Sequence, residues 1–196
     1  RDRIPSGVEC VEADLVDLDM SLPAFRGVDG VFHLAALARI PFSMKFPRES
    51  NAANVTGTLH VLEAARQCGV RRIVYSASSS AYGDQPTMPL REDMTPRPLN
   101  PYGLQKFVGE EYCRVYSVCH GLETVSLRYF NVYGPRMSMD GAYVTIMSLF
   151  LRQRQAGEPF TIVGDGEQTR DFTHVRDVVR ANMLAMRSPN VGRGEV

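Results

Sequence analysis

The sequence predicts an α/β protein built on a doubly wound parallel sheet, and three observations carry that prediction. Short apolar runs alternate with helical stretches of roughly 15 to 20 residues, the pattern of a parallel sheet with helices on both faces. The runs themselves, Val31-Phe32-His33-Leu34 above all, are almost continuously apolar, as strands covered on both faces are. Small or polar residues, Asp14, Ala35-Ala36, Ser78 and Asn131, stand just past the ends of predicted strands. In such sheets ligands sit beyond the carboxyl ends of the strands, so one edge gathers the candidate site.

Val8 to Ala13 reads as a strand, with Asp14-Leu15 in the loop after it. Asp29-Gly30 gives a turn and Val31 to Leu34 a second strand. Pro41 and Pro47 predict an irregular stretch. From Asn51 to Gln67 the apolar residues Val55, Leu59, Leu62 and Ala65 recur at helical spacing, and Gly69 ends that helix. Arg72 to Ser76 is a third strand, running into a serine-rich turn that reaches Gly83. A proline-rich loop from Pro86 to Pro98 leads to a helix carrying Tyr102 and running to about His120. Val125 to Arg128 is a fourth strand, followed by Tyr129 to Pro135. Ala142 to Ala156 reads as helix, Phe160 to Val163 as strand, Gly164-Asp165-Gly166 as a tight turn and Val175 to Met186 as an amphipathic helix. Nothing after that helix signals a closing element. The division expected is a sheet domain over 1–130 and part of a smaller substrate-binding region over 131–196.

Composition excludes several classes. Lys and Arg balance Asp and Glu at 22 each with no basic stripe, which argues against nucleic acid. The apolar stretches are broken well short of the length that crosses a bilayer, and the opening residues lack a signal-peptide pattern. Cys10, Cys68, Cys113 and Cys119 contain no CxxC and read as reduced thiols of a cytoplasmic protein. The four histidines are isolated, so no metal site is expected. The chain opens on Arg1 and stops at Val196, and both ends look cut.

Chemistry concentrates at Asn100-Pro101-Tyr102-Gly103-Leu104-Gln105-Lys106. Tyr102 and Lys106, four residues apart on a helix, project from the same face. An ammonium beside a phenol favours the phenolate, giving an oxygen that exchanges a proton with an alcohol near neutral pH. Arginine, whose guanidinium is bulky and forked, is no equivalent; the chain has 20 Arg and only two Lys, Lys45 and Lys106. Alone, the pair reads first as an ordinary surface contact between helix neighbours.

With these pieces in order, the chain resembles the extended short-chain dehydrogenase/reductase family, and within it the nucleotide-sugar epimerases of the UDP-glucose 4-epimerase type. The resemblance rests on Val31 to Ala36, Asn54-Val55-Thr56-Gly57-Thr58, Ser76 to Gly83, Tyr102 with Lys106, Leu127 to Gly134, and Gly164-Asp165-Gly166 with Arg170-Asp171-Phe172. It implies a Rossmann-like fold, NAD as cofactor and a nucleotide-diphosphate sugar as substrate. By the same resemblance Tyr102 is the acid/base, Lys106 its partner and a ligand of the nicotinamide ribose, and Ser78 a donor to the reacting sugar oxygen. Asp14 and Leu15 match the adenine contacts, Leu34, Ala35, Ala36 and Leu37 the segment passing the pyrophosphate, Asn54 a cofactor-side asparagine and Phe130 the aromatic beside the nicotinamide. Asn131 and Arg170 match holders of the substrate diphosphate, where arginine's fork suits phosphate oxygens. Thr145-Ile146 and Thr161-Ile162 match the nucleotide pocket, and Ser79 and Ser80 the sugar side. Read without the family, Ser78 and Asp14 fit turn residues, Asn54 a structural bond at a helix start, Leu34 core packing and Arg170 a surface ion pair.

One departure is large. The glycine-rich turn that seats a pyrophosphate on a helix N-terminus is absent, and Gly164-Asp165-Gly166 lacks a following helix signal. The resemblance therefore implies an internal fragment lacking the first strand-helix-strand unit, and a homodimer at full length through the helices holding Asn54 and Tyr102. Dehydratases of this family carry an acidic pair where this chain has Ser79 and Ser80, which favours epimerisation, at C4 of a UDP-hexose, through a transient ketone. A reductase or dehydrogenase of the same fold, a dehydratase and a non-catalytic NAD-binding module are the alternatives.

Overall fold

A computed structural model describes residues 4–139 and 145–196. In chain order its elements are α1 (Leu18–Ser21), β1 (Gly30–His33), α2 (Ile40–Lys45), α3 (Pro47–Asn51), α4 (Gly57–Cys68), β2 (Arg72–Ser78), α5 (Pro101–His120), β3 (Glu123–Tyr129), β4 (Asn131–Tyr133), α6 (Ile146–Ala156), β5 (Phe172–His174), α7 (Val175–Arg187) and β6 (Arg193–Glu195). A four-stranded sheet runs in the order β1-β2-β3-β6, every neighbour parallel. β2, buried at every residue, shows why the sheet is covered on both faces. Its alternate side chains Ile73, Tyr75 and Ala77 join Leu62 and Ala65 of α4 and Cys113 and Tyr116 of α5 in one core. Val74 points the other way, to Val125, Ala185 and Met186. This is the predicted doubly wound arrangement.

Helix ends follow local chemistry. Gly69 takes the left-handed conformation (φ 69°) that ends α4, at the position read as its stop. Between α3 and α4 the backbone makes one π-helical turn over Ala52–Thr56, so the predicted helix is continuous but locally overwide. The stretch expected to be irregular is instead helical: Pro41 and Pro47 occupy the first turns of α2 and α3, where a missing N–H costs nothing. Tyr102 lies in the first turn of α5, whose cap is Asn100.

Four further expectations are corrected. Val8 to Ala13 is exposed and forms no strand, because a strand needs a neighbour for its N–H and C=O groups and β1 pairs with β2 alone. Phe160 to Val163 also forms no strand; Gln153 of α6 takes up Thr161 there through side-chain bonds instead. Asn131–Tyr133 pairs in parallel with Phe172–His174, a two-stranded sheet too short to show in the alternation of the sequence. At the chain end β6 joins β3, so a closing strand exists where none was expected. Of the helix expected from Ala142, residues 142–144 lie outside the described residues, and α6 begins at Ile146.

The expected division at residue 130 is crossed by the chain's return to the first sheet, where Arg72 ties the two stretches together. This buried guanidinium donates from Nε to Glu123 (2.7 Å) and from Nη1 and Nη2 to the carbonyls of Ala185, Ser188 and Val191 (2.7, 2.7 and 2.9 Å). The last turn of α7 thus finds its orphan carbonyls a cationic cap.

Candidate active site

The candidate residues fall into three groups. In the first, Asp14, Leu15, Ala35, Ala36 and Leu37 line a cleft of about 490 Å³. The Asp14 carboxylate accepts the Val16 N–H (3.0 Å), which fixes the turn, and His60 Nδ1 donates to the Leu15 carbonyl (3.0 Å). The side chain of Leu34 is exposed. Asn54, buried in the π-helical turn, accepts the Leu37 N–H (2.7 Å) and donates to the Leu37 carbonyl (3.1 Å) and to Gln105 Oε1 (2.8 Å). Its polar atoms therefore hold the backbone of the small-residue segment and tie it to α5. An acidic side chain, an apolar neighbour and an open run of alanine backbone fit the adenosine half of a dinucleotide. The sequence holds no GxxGxxG for the pyrophosphate.

The second group meets at the carboxyl end of β2. Ser78 is 7 % exposed and its Oγ accepts the Ser80 N–H (3.2 Å), which turns the chain through Ser79–Ala81 and leaves the hydroxyl proton to donate. Against this turn lies Gly103: a Cβ there would stand 2.6 Å from the Ser80 carbonyl oxygen. Only glycine lets the first turn of α5, where Tyr102 is half-buried, lie so close to Ser80. One turn further on, Lys106 is 4 % exposed, donates to the Ser76 carbonyl (2.7 Å) and lies 4.7 Å over the Tyr75 ring. Burial brings its pKa down to about 8, so the ammonium is charged at neutral pH but only just.

The buried groups around Lys106 are neutral or paired. His33 Nε2 lies 2.9 Å from Thr58 Oγ1, whose own proton goes to the Asn54 carbonyl (2.7 Å), so Nε2 is the donor. Burial, aided by the Lys106 charge, lowers the His33 pKa to about 3. Burial pushes the Cys113 thiol up to about 12 and makes it inert. Arg128 binds Glu110 through Nε (3.0 Å) and Nη2 (2.7 Å) and stacks 4.4 Å from the Tyr82 ring. That ring in turn lies 6.3 Å from Phe130, which is half-buried past the end of β3.

The third group lies on α6 and the loop after it. Ile146, Thr161, Ile162 and Arg170 share a cavity of about 620 Å³ with Phe150 and Phe160, whose rings stack at 4.8 Å. Thr145 caps α6 through the Ser148 N–H (3.2 Å). Gln153 donates to Thr161 Oγ1 (2.7 Å) and accepts the Thr161 N–H (3.1 Å), setting that segment against α6. Arg170 is exposed and bonds the Thr169 carbonyl, while Asn131 donates its amide to the Asp171 carbonyl (2.9 Å) across β4 and β5. Sequence reasoning missed Ser43, His60, Gln105 and Gln153, all of which hold site residues from behind. Their partners lie up to 59 residues away, so no local spacing announces them. Among the described residues no cluster of His, Cys, Asp and Glu is disposed to hold a metal, and no helix is long and apolar enough to cross a membrane.

The chain is thus a parallel α/β sheet with a tyrosine and a lysine one helical turn apart on the helix packed against β2. The chain matches the NAD dependent epimerase/dehydratase family over residues 1–196, and it belongs to that family. It is 38% identical over 192 residues, 97% of its length, to a putative UDP-glucose 4-epimerase of Methanocaldococcus jannaschii, of which it covers 63%. Among solved structures it is similar to the UDP-glucose 4-epimerase of Thermotoga maritima with UDP-glucose, with a TM-score of 0.91, 35% identity, and 95% of this chain and 61% of that one covered. It is also similar to the Thermus thermophilus UDP-glucose 4-epimerase in complex with NAD, with a TM-score of 0.88, 36% identity, and 96% and 63% covered. The chain thus spans about three fifths of the relatives it matches.

Proposed function

We propose that the full-length protein is an NAD-dependent epimerase of a nucleotide-diphosphate sugar, acting at C4 of a UDP-hexose through a transient ketone. The observation that supports this reading is the seating of α5 on the serine turn through Gly103, with Lys106 bonded to the Ser76 carbonyl two residues before Ser78. Tyr102 takes the proton of the sugar hydroxyl and later returns it. Lys106 favours the phenolate by its charge, and Ser78 donates a hydrogen bond where alkoxide charge develops. NAD, when bound, supplies the hydride acceptor and then the donor. Asp14, Leu15, Ala35, Ala36, Leu37 and Phe130 would hold it, with Asn54 fixing the Leu37 backbone. Arg170 and Asn131 anchor the diphosphate, and Thr145, Ile146, Thr161 and Ile162 the nucleoside, so that the hexose is free to turn and offer its other face. The Ser79–Ala81 turn holds no carboxylate to protonate a leaving hydroxyl, which supports epimerisation over dehydration.

The reading also makes the protein a cytoplasmic homodimer paired through the helices bearing Asn54 and Tyr102. Exposed Leu104, Val115 and Val118 on α5 support that pairing, which sedimentation of the full-length protein would check. The test of the activity is incubation of that protein with UDP-glucose. Conversion to UDP-galactose without a rise in reduced nicotinamide is expected, and Tyr102→Phe should lower the rate by roughly 10²–10⁴-fold. Stoichiometric release of reduced cofactor would replace this reading with a dehydrogenase; a rate indifferent to Tyr102→Phe would remove the enzymatic role from that residue.

A further inference from the structure

The first turn of α5 presents an accounting problem at its backbone. Pro101 has no N–H, the Gly103 N–H goes to the Asn100 side chain (2.9 Å) and the Leu104 N–H to the Asn100 carbonyl (3.1 Å). That leaves the N–H of Tyr102 itself, one of the donors every helix N-terminus leaves over. It is taken by Ser43 Oγ at 3.2 Å, from a different helix, 59 residues away in sequence. Ser43 has no exposed surface, and its own proton goes to the Ile40 carbonyl (2.8 Å). Both roles of the hydroxyl are therefore assigned: donor within α2, acceptor from Tyr102.

We infer that Ser43 is a positioning residue for Tyr102. It holds the first turn of α5 from α2, while at Gly103 the same turn closes on the Ser79–Ala81 turn, so the Tyr102 backbone is fixed by a hydroxyl and by a close approach. α2 follows directly on the Leu34–Leu37 segment, so the same bond sets the distance between the phenol and the dinucleotide cleft. Gln105, which Ser50 and Asn54 hold, fixes the second turn of α5 rather than the first. The inference rests on the reading of Tyr102 as the acid/base.

The test uses the full-length protein carrying Ser43→Ala, Ser43→Thr, Tyr102→Phe and the double variant Ser43→Ala/Tyr102→Phe. Because sub-ångström misplacement of a reacting group lowers turnover steeply, Ser43→Ala should lower kcat about tenfold while KM for UDP-glucose and the content of bound NAD stay within about twofold. Ser43→Thr, which keeps the hydroxyl, should restore most of kcat. Hydrogen exchange at the Tyr102 amide should be faster in Ser43→Ala than in the parent, and in the Tyr102→Phe background Ser43→Ala should cost no further rate. Equal losses of kcat in both backgrounds, or an unchanged kcat or amide exchange in Ser43→Ala, would overturn the inference. If Ser43→Ala does not fold, Ser43→Cys keeps the volume with a weaker acceptor and is expected to give the same split between kcat and KM. A Tyr102→Phe variant of full activity would overturn the reading of the site itself, whereas its loss beside an unaffected Ser43→Ala would overturn this inference alone.

Discussion

Lys106 carries its charge into a place with almost no water, and the pH dependence of stability should register it. Its pKa falls to about 8 in the folded protein, so between that value and the ordinary 10.5 the unfolded chain binds the extra proton. Stability therefore rises with pH across that window, until the Cys113 thiol, held up at about 12, begins to oppose it above pH 9. From pH 8 to 9 the parent should gain about 1 kcal/mol relative to Lys106→Met in urea unfolding. The acid side belongs to His33. With a folded pKa of about 3 it stays neutral while the unfolded imidazole charges below 6.5, so stability falls as pH falls through that range. Between pH 6.5 and 5, above the range where Glu63 at about 2 matters, the parent should lose about 1.5 kcal/mol relative to His33→Gln. Tyr102 and Lys106 were legible in the sequence because helical spacing puts them on one face. The burial of Lys106 against Tyr75 and Ser76 was not, since it depends on strands that only the folded sheet brings beneath α5.

At the scale of elements, two glycines let α5 lie against β2 and the turn after it. Gly103 faces the Ser80 carbonyl, and at Gly109 an added Cβ would collide with the Tyr75 hydroxyl and ring. Gly103→Ala must move the turn that carries Tyr102, so it should lower kcat and cost roughly 1–3 kcal/mol of stability. Gly109→Ala displaces Tyr75 at the other end of the contact; calorimetry should show a similar stability loss. Arg72 is the counterpart on the opposite face. Replacing it by Met removes the cap of α7 and leaves Glu123 and several carbonyls short of donors, a loss of roughly 3 kcal/mol in chemical unfolding. The positions of β2, α4, α5 and α7 followed from periodicity in the sequence. The α2 and α3 helices, β4, β5 and β6 did not: the helices are short and open on prolines, and three-residue strands exist only through their partners.

For the whole molecule, the cleft beside Asp14 measures about 490 Å³, and the sequence holds no glycine-rich turn to seat a phosphate there. The 196-residue chain alone is expected to bind NAD more weakly than micromolar in a calorimetric titration; micromolar binding would show that Ala35 to Leu37 suffice for the pyrophosphate. What the sequence by itself determined is the parallel α/β architecture and the helix that carries Tyr102 and Lys106 one turn apart. These depend on short continuous apolar runs, a 3.6-residue period and residue types at fixed spacing, which are local properties. Only the tertiary structure decided that Ser43 and Arg72 bind distant backbone, that Gln105 accepts from Ser50 and Asn54, and that β6 returns to β3. Such pairings satisfy buried polar groups, and a buried group takes whichever partner the packing brings near, at any separation along the chain.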